Sequence, residues 1–259
     1  MNDEDFELKP FRLGNKILEL YVTKDQENLP CFVPNTVTAA IAENVPVDPG
    51  EIIVEAGAGI GPITILMAQK EPLFQHIYTT EIKHHQVEAA IRNMEHYGLQ
   101  NKVTVFQGDV LEPIRLNRFI NPTMIIGDCS ALTDIGIELG WYPKQGIPLG
   151  GDDGTEVVIR FLRQASEYQC PTYFAIAQNF SDGKKILDLA ENCFGRGVTR
   201  HLNRVRIPLT RDQINTIDKT KTTIYEPIER KGTRGFWALD IYESRGIRET
   251  EIYHPNPEY

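Results

Sequence analysis

The sequence predicts an α/β fold: a mostly parallel sheet of about seven strands, helices on both faces, and a C-terminal antiparallel hairpin. Two observations carry this. From about residue 50, short β-branched runs alternate with amphipathic stretches, the pattern of βαβ units. The last two apolar runs, Val198 to Pro208 and Phe236 to Tyr242, read as a closing antiparallel pair.

Taken in order, Glu51 to Glu55 is the first strand of this sheet, apolar through its middle as a strand covered on both faces should be. Glycines follow, then Pro62, which suits the first turn of a helix because it lacks the N–H that would go unpaired there. Ile77 to Glu81 is the second strand. After it Val87, Ala90, Ile91 and Met94 fall at i, i+3, i+4 and i+7 on a helix that stops at Gly98. Val103 to Gln107, Met124 to Asp128 and Thr172 to Ala177 are further strands. Val157, Val158, Phe161, Leu162 and Ala165 mark one intervening helix, and Ile186, Leu189, Ala190 and Cys193 another. Three regions result: an arm or hairpin over residues 1–35, the main domain over 36–245, and a tail from 246 to 259. The tail is polar and reads either as a free end or as an arm across a neighbouring subunit in a homodimer.

Composition narrows the classes. The chain has 259 residues, 41% hydrophobic and 24% charged, which excludes a disordered or fibrous protein. With 27 basic against 36 acidic residues the net charge is −9, so no overall field draws the chain onto nucleic acid or an anionic membrane. The longest apolar runs are strand-sized, well short of the roughly 20 residues of a membrane span. The acidic start, MNDEDFELKP, has no secretory order, and Cys31, Cys129, Cys170 and Cys193 form no CxxC pair. Both features point to a reducing, cytoplasmic setting. Adjacent His84 and His85 lack metal-site spacing, so no metal is expected.

The motif with most chemistry in it is Glu55-Ala-Gly57-Ala-Gly59-Ile-Gly61. Glycine serves where a chain turns sharply or lets a ligand approach its backbone. The loop leaves the carboxyl end of a strand, where open α/β sheets bind ligands. A dinucleotide fingerprint reads GxGxxG, whereas here the spacing is GxGxG and Pro62 stands where the third glycine would fall. No Walker lysine is present, and Glu55 ahead of the glycines suits a cation better than a pyrophosphate.

On these residues the chain resembles the class I S-adenosylmethionine (SAM)-dependent methyltransferases, which implies their Rossmann-like fold and SAM as cofactor. The resemblance implies that Glu81, with Ile82 beside it, meets the ribose hydroxyls. It also implies that Asp109, with Val110 beside it, meets the adenine amino group. Taken singly, either acid could be a solvated strand end. Phe32-Val-Pro34 with Thr38, and Pro148-Leu-Gly-Gly-Asp-Asp-Gly154, are similar to two segments of the release-factor glutamine N5-methyltransferases. By that resemblance Tyr21, Asn35, Thr36 and Thr38 cover the methionine end of SAM. Thr38 has the alternative of capping the following helix.

One departure is informative. That group reads NPPY after the fourth strand, and this chain reads Gly127-Asp128-Cys129-Ser130-Ala131. The asparagine that receives the amide hydrogens is Asp128 here, both prolines are gone, and no aromatic residue follows. The helical domain that grips the release factor is also missing from the sequence. The fold and cofactor carry over, and the glutamine acceptor does not. A carboxylate accepts hydrogen bonds only, so Asp128 is the candidate to orient and deprotonate an amine or hydroxyl, with Cys129 and Ser130 shaping the pocket. Its alternative is to satisfy local backbone amides. Trp141 and Tyr142 either cap the substrate or the sulfonium by cation–π contact, or pack the loop onto the sheet.

The expectation is a methyltransferase with a small-molecule amine or hydroxyl acceptor. Two other uses of SAM stand beside it: cyclisation to azetidine-2-carboxylate with release of methylthioadenosine, and binding without catalysis.

Overall fold

A computed structural model of the chain describes residues 3–32, 34–129, 132–141 and 150–246. The chain opens with an antiparallel hairpin, β1 (Phe6–Leu13) and β2 (Lys16–Thr23), turning at Gly14. Helix α1 (Thr36–Asn44) then leads into β3 (Ile52–Ala56), α2 (Pro62–Lys70), β4 (His76–Glu81), α3 (His84–His96) and β5 (Val103–Gln107). Next come α4 (Glu112–Leu116), β6 (Met124–Gly127), α5 (Ile135–Glu138) and α6 (Glu156–Ala165). The chain continues through β7 (Thr172–Ala177), α7 (Gly183–Phe194), β8 (Thr199–Leu209), α8 (Arg211–Ile217), β9 (Glu229–Lys231) and β10 (Arg234–Ser244).

The central sheet runs β5-β4-β3-β6-β7-β10-β8, with β9 added to one end of β10. The first five of these strands are parallel, while β10 is antiparallel to both β7 and β8. All seven long strands stand where the sequence pattern puts them. The order reverses between β3 and β6, so a crevice opens at the carboxyl ends of these two strands. The glycine loop after β3 and Asp128 after β6 are thereby brought side by side.

Apolar side chains fill both faces of the sheet. One layer joins Ile53, Ile77 and Leu239 to α1, α2 and the hairpin; the other joins Val54, Ile125 and Ile176 to α6 and α7. Helix α3 departs from the expected stripe. Ile91 is exposed, and the buried face instead carries Asn93. The Asn93 amide accepts from the Tyr21 backbone N–H at 2.6 Å and donates to the carbonyls of Tyr21 and Ile60. A buried amide with its hydrogen bonds met costs little, and this one pins the hairpin to α3 and to the glycine loop. No helix among the described residues is long and apolar enough to cross a membrane.

Candidate active site

A cavity of about 360 Å³ lies at the carboxyl edge of the sheet, between the glycine loop, the start of α1 and the antiparallel strands. Gly57, Gly59, Glu81 and Ile82 line one part of it, and Asp109, Val110, Asp128 and Cys129 another. These are eight of the residues singled out in the sequence. Ser130 and Tyr142 lie outside the described residues.

The loop is held open by backbone pairing. Gly57 and Ala58 both donate to the Thr80 carbonyl at 3.0 Å, and Gly61 donates to Ala58 at 2.8 Å. Gly57 has a φ of +76°, and a Cβ there would stand 2.8 Å from the Asp128 carbonyl oxygen. Only glycine lets these two chain segments approach so closely. Gly61 serves packing: it sits at φ +88° with the Met94 methyl where its Cβ would be, and it does not line the cavity.

Glu81 organises the rim. Its Oε2 accepts from the Gly59 N–H at 3.0 Å and its Oε1 from the Lys83 N–H at 2.9 Å. Burial pushes its carboxyl above the ordinary range despite these bonds. Asp109 reaches Arg160 of α6 through Oδ2 at 3.0 Å. Val110 next to it has a φ of +49°, an uncommon conformation for a β-branched residue, and Thr80 donates its hydroxyl to the Val110 carbonyl.

Glu55 is placed differently from the expectation. It lies beneath the loop, 1% exposed, rather than on the cavity wall. Its Oε2 accepts from the Thr64 hydroxyl, and its Oε1 has no hydrogen-bond partner among the described residues. Burial raises its pKa to about 8, with the nearby Asp128 and Glu81 adding like-charge repulsion. Asp128 is raised by burial to about 7. Its backbone amide bonds to Ala56, and no hydrogen bond to its carboxylate is found among the described residues. The Cys129 thiol on the cavity wall is driven well above its usual range by burial and by Asp128.

Two expectations about the entry segment are corrected. Thr38 is fully buried, and its hydroxyl accepts from the Asn35 N–H within a capping box. As the third residue of α1 it faces the helix's own first turn, and Asn35, Thr36 and Val37 line the cavity in its place. Tyr21 is likewise absent from the wall, its backbone being paired with Asn93. The Gly150 to Gly154 turn is structural: Asp153 accepts from the Thr155 amide and hydroxyl and pairs with Lys185 of α7.

Sequence reasoning missed the far wall. Trp237, Leu239, Ile207 and Pro208 join Ala175 and Ala177 there. Trp141 lines the same end, with ring centroids 5.2 Å from Trp237 and 5.4 Å from Phe180. The only signal available in the sequence was strand alternation, which marks these residues as buried and not as facing a cavity.

The sheet order, the switch-point cavity and the GxGxG loop decide the architecture. The chain has the class I methyltransferase fold. Two solved structures agree at the level of fold. Precorrin-6y C5,15-methyltransferase from Geobacter metallireducens aligns with a TM-score of 0.50 and 11% identity, covering 81% of this chain and 87% of that one. SMU.776, described as a methyltransferase and complexed with SAH, aligns with a TM-score of 0.53 and 9% identity, covering 93% and 57%.

Sequence likeness points the same way. A family model described as RNA cap guanine-N2 methyltransferase matches residues 50–133. The ribosomal protein uL3 glutamine methyltransferase of Bradyrhizobium diazoefficiens is 30% identical over 144 residues, covering 54% of this chain and 44% of that protein. The release factor glutamine methyltransferase of Moorella thermoacetica is 29% identical over 168 residues, covering 61% and 58%. The chain thus spans about half the length of the curated relatives it matches. The likeness to methyltransferases, including the glutamine methyltransferase group, is borne out. By name, these proteins agree on methyl transfer and differ on the acceptor.

Proposed function

We propose that the protein is a SAM-dependent methyltransferase acting on a small-molecule amine or hydroxyl. The observation that carries this reading is the charge of the cavity. Glu81, Asp109 and Asp128 line it, and no Lys, Arg or His does so among the described residues. Such a wall favours a sulfonium cation and disfavours a pyrophosphate.

The residues present fit the cofactor. Each Glu81 oxygen accepts one backbone amide and keeps a lone pair for a ribose hydroxyl. Asp109 is tied to Arg160 through one oxygen, leaving the other for the adenine amino group. In the first turn of α1 the capping box takes up the Asn35, Val37 and Thr38 amides, which leaves the Thr36 amide at the cavity wall to meet a carboxylate. Glu55 beneath the loop, its Oε1 without a partner among the described residues, is a carboxyl that a cation above it would help to ionise. When bound, SAM supplies an electrophilic methyl group.

The protein's share of the chemistry is positioning and one proton. Asp128 accepts a hydrogen bond from the nucleophile, fixing its lone pair toward the methyl carbon, and takes up the proton released on alkylation. A pKa of about 7 suits a base working near neutrality. The relatives named for glutamine methylation match 54% and 61% of this chain. The reading of a different acceptor rests on Asp128 standing where that group has asparagine.

The test is mass spectrometry of what SAM becomes, first alone and then with a panel of metabolite amines and alcohols. Acceptor-dependent S-adenosylhomocysteine is the expected product. Methylthioadenosine formed from SAM alone would replace methyl transfer by cyclisation, and unconsumed SAM on folded, SAM-binding protein would reject catalysis.

A further inference from the structure

The far wall of the cavity names a class of acceptor more closely. Strand register places its parts. Gly127 pairs with Phe174, so Asp128 comes level with Ala175 at the end of β6. Two residues further along β7, Ala177 pairs with Leu239 of β10, and Trp237 pairs with Ile207 of β8. One face of the sheet thus runs from a carboxylate, over two alanines, to an indole and two aliphatic side chains. Trp141 closes the chamber against Trp237 and Phe180. The floor is cut low because Ala175 and Ala177 stop at Cβ where larger residues would fill the space.

Among its described residues the chamber offers little to an anion. Asp128 is the charged group at its mouth, no Lys, Arg or His lines the cavity among the described residues, and Arg160 is engaged by Asp109. A carboxylate or phosphate carried into this chamber would be desolvated without a cation to meet it. An apolar body gains by burial, and an ammonium gains from Asp128 and from the indole faces.

We propose that this chamber is the acceptor subsite and that its ligand is a monoamine on a flat apolar body, without a carboxylate or phosphate of its own. The amine meets Asp128, and the body lies over Ala175 and Ala177 between Trp141 and Trp237. Ala177 sets the depth of the subsite. This rests on the methyltransferase reading for the amine's fate, while the binding it describes is measured separately.

Matched probes test it. 2-Phenylethylamine and phenylalanine differ only by the α-carboxylate, and each is titrated into the full chain by calorimetry with and without saturating S-adenosylhomocysteine. The amine is expected to bind more than about tenfold tighter than the amino acid. Ala177→Leu is expected to abolish amine binding and keep S-adenosylhomocysteine affinity within about threefold, the added methylenes blocking only the chamber. Asp128→Asn, which keeps the volume, is expected to weaken the amine by about tenfold or more and guards against misfolding of the leucine variant. Equal binding of the two probes, or binding of neither while S-adenosylhomocysteine binds, overturns the subsite and leaves the cofactor reading standing. Amine binding without any affinity for S-adenosylhomocysteine does the reverse.

Discussion

Buried carboxylates occur in two regions of this molecule, and their surroundings are opposite. At the C-terminal strands, Asp240 and Glu243 are each 2% exposed. Arg204 forks onto Asp240 with two bonds of 2.7 Å, and His201 approaches at 3.3 Å. Glu243 accepts from Arg200 at 2.6 Å, Arg245 at 2.8 Å and the Tyr173 hydroxyl at 2.9 Å. Burial alone would raise both, and these donors outweigh it, so both carboxyls lie below the ordinary range. At the glycine loop, Glu55 and Asp128 have no such cation among the described residues and are raised to about 8 and about 7. A carboxylate completed by its own chain is architecture. One left incomplete at the switch point of the sheet is a candidate place for something cationic to bind.

Breaking each kind of site should give different readouts. The largest effect is expected from Asp128→Asn: turnover should fall by about 100-fold or more, the range lost with a general base, while S-adenosylhomocysteine affinity changes little. Unchanged turnover would remove Asp128 from the chemistry. Glu81→Gln comes next, with nucleoside affinity falling about 10- to 100-fold as charged hydrogen bonds are lost, read by calorimetry. Arg204→Ala should leave nucleoside affinity alone and destabilise the fold by about 2 kcal/mol in denaturant melts. That is below the usual cost of breaking a buried pair because Arg204 itself is half-exposed.

The smallest effect sharpens the comparison through pH. The Glu55 carboxyl lies above its ordinary value of 4.5 in the folded state, so between about 4.5 and about 8 the folded chain binds more protons than the unfolded one. Its contribution to stability is therefore full at low pH and is lost as pH rises through about 8. Asp240 and Glu243 have the opposite sign: their contribution is present above the ordinary carboxyl range and is lost as pH falls through their lowered values. Glu55→Gln should raise the Tm of the ligand-free protein at pH 8–9 by a few degrees and change little at pH 5. A rise at pH 5 as large as that at pH 9 would contradict the assignment.

Much of this was legible in one dimension because its causes are local. The short continuous apolar runs of Ile52–Ala56 and Thr172–Ala177, the GxGxG spacing and the position of Pro62 are each read within a few residues of chain. Thr38 was ambiguous for the same reason, since a cap and a ligand contact use the same hydroxyl. Ile91 was misplaced because an apolar stripe does not reveal that Asn93, with three partners from elsewhere in the chain, can be buried instead.

Local patterning by itself determined the strand order in the chain, the turn that holds a ligand and the acids at the strand ends. Tertiary structure alone decided which acids find a cation and which do not, because Arg204 meets Asp240 only across a strand pair 36 residues apart. It alone also joined Trp141 to Trp237 and left two alanines beneath them. Periodicity reports that a side chain is buried. Whether it is buried against protein or against a ligand's space depends on strands that meet only when the sheet is assembled.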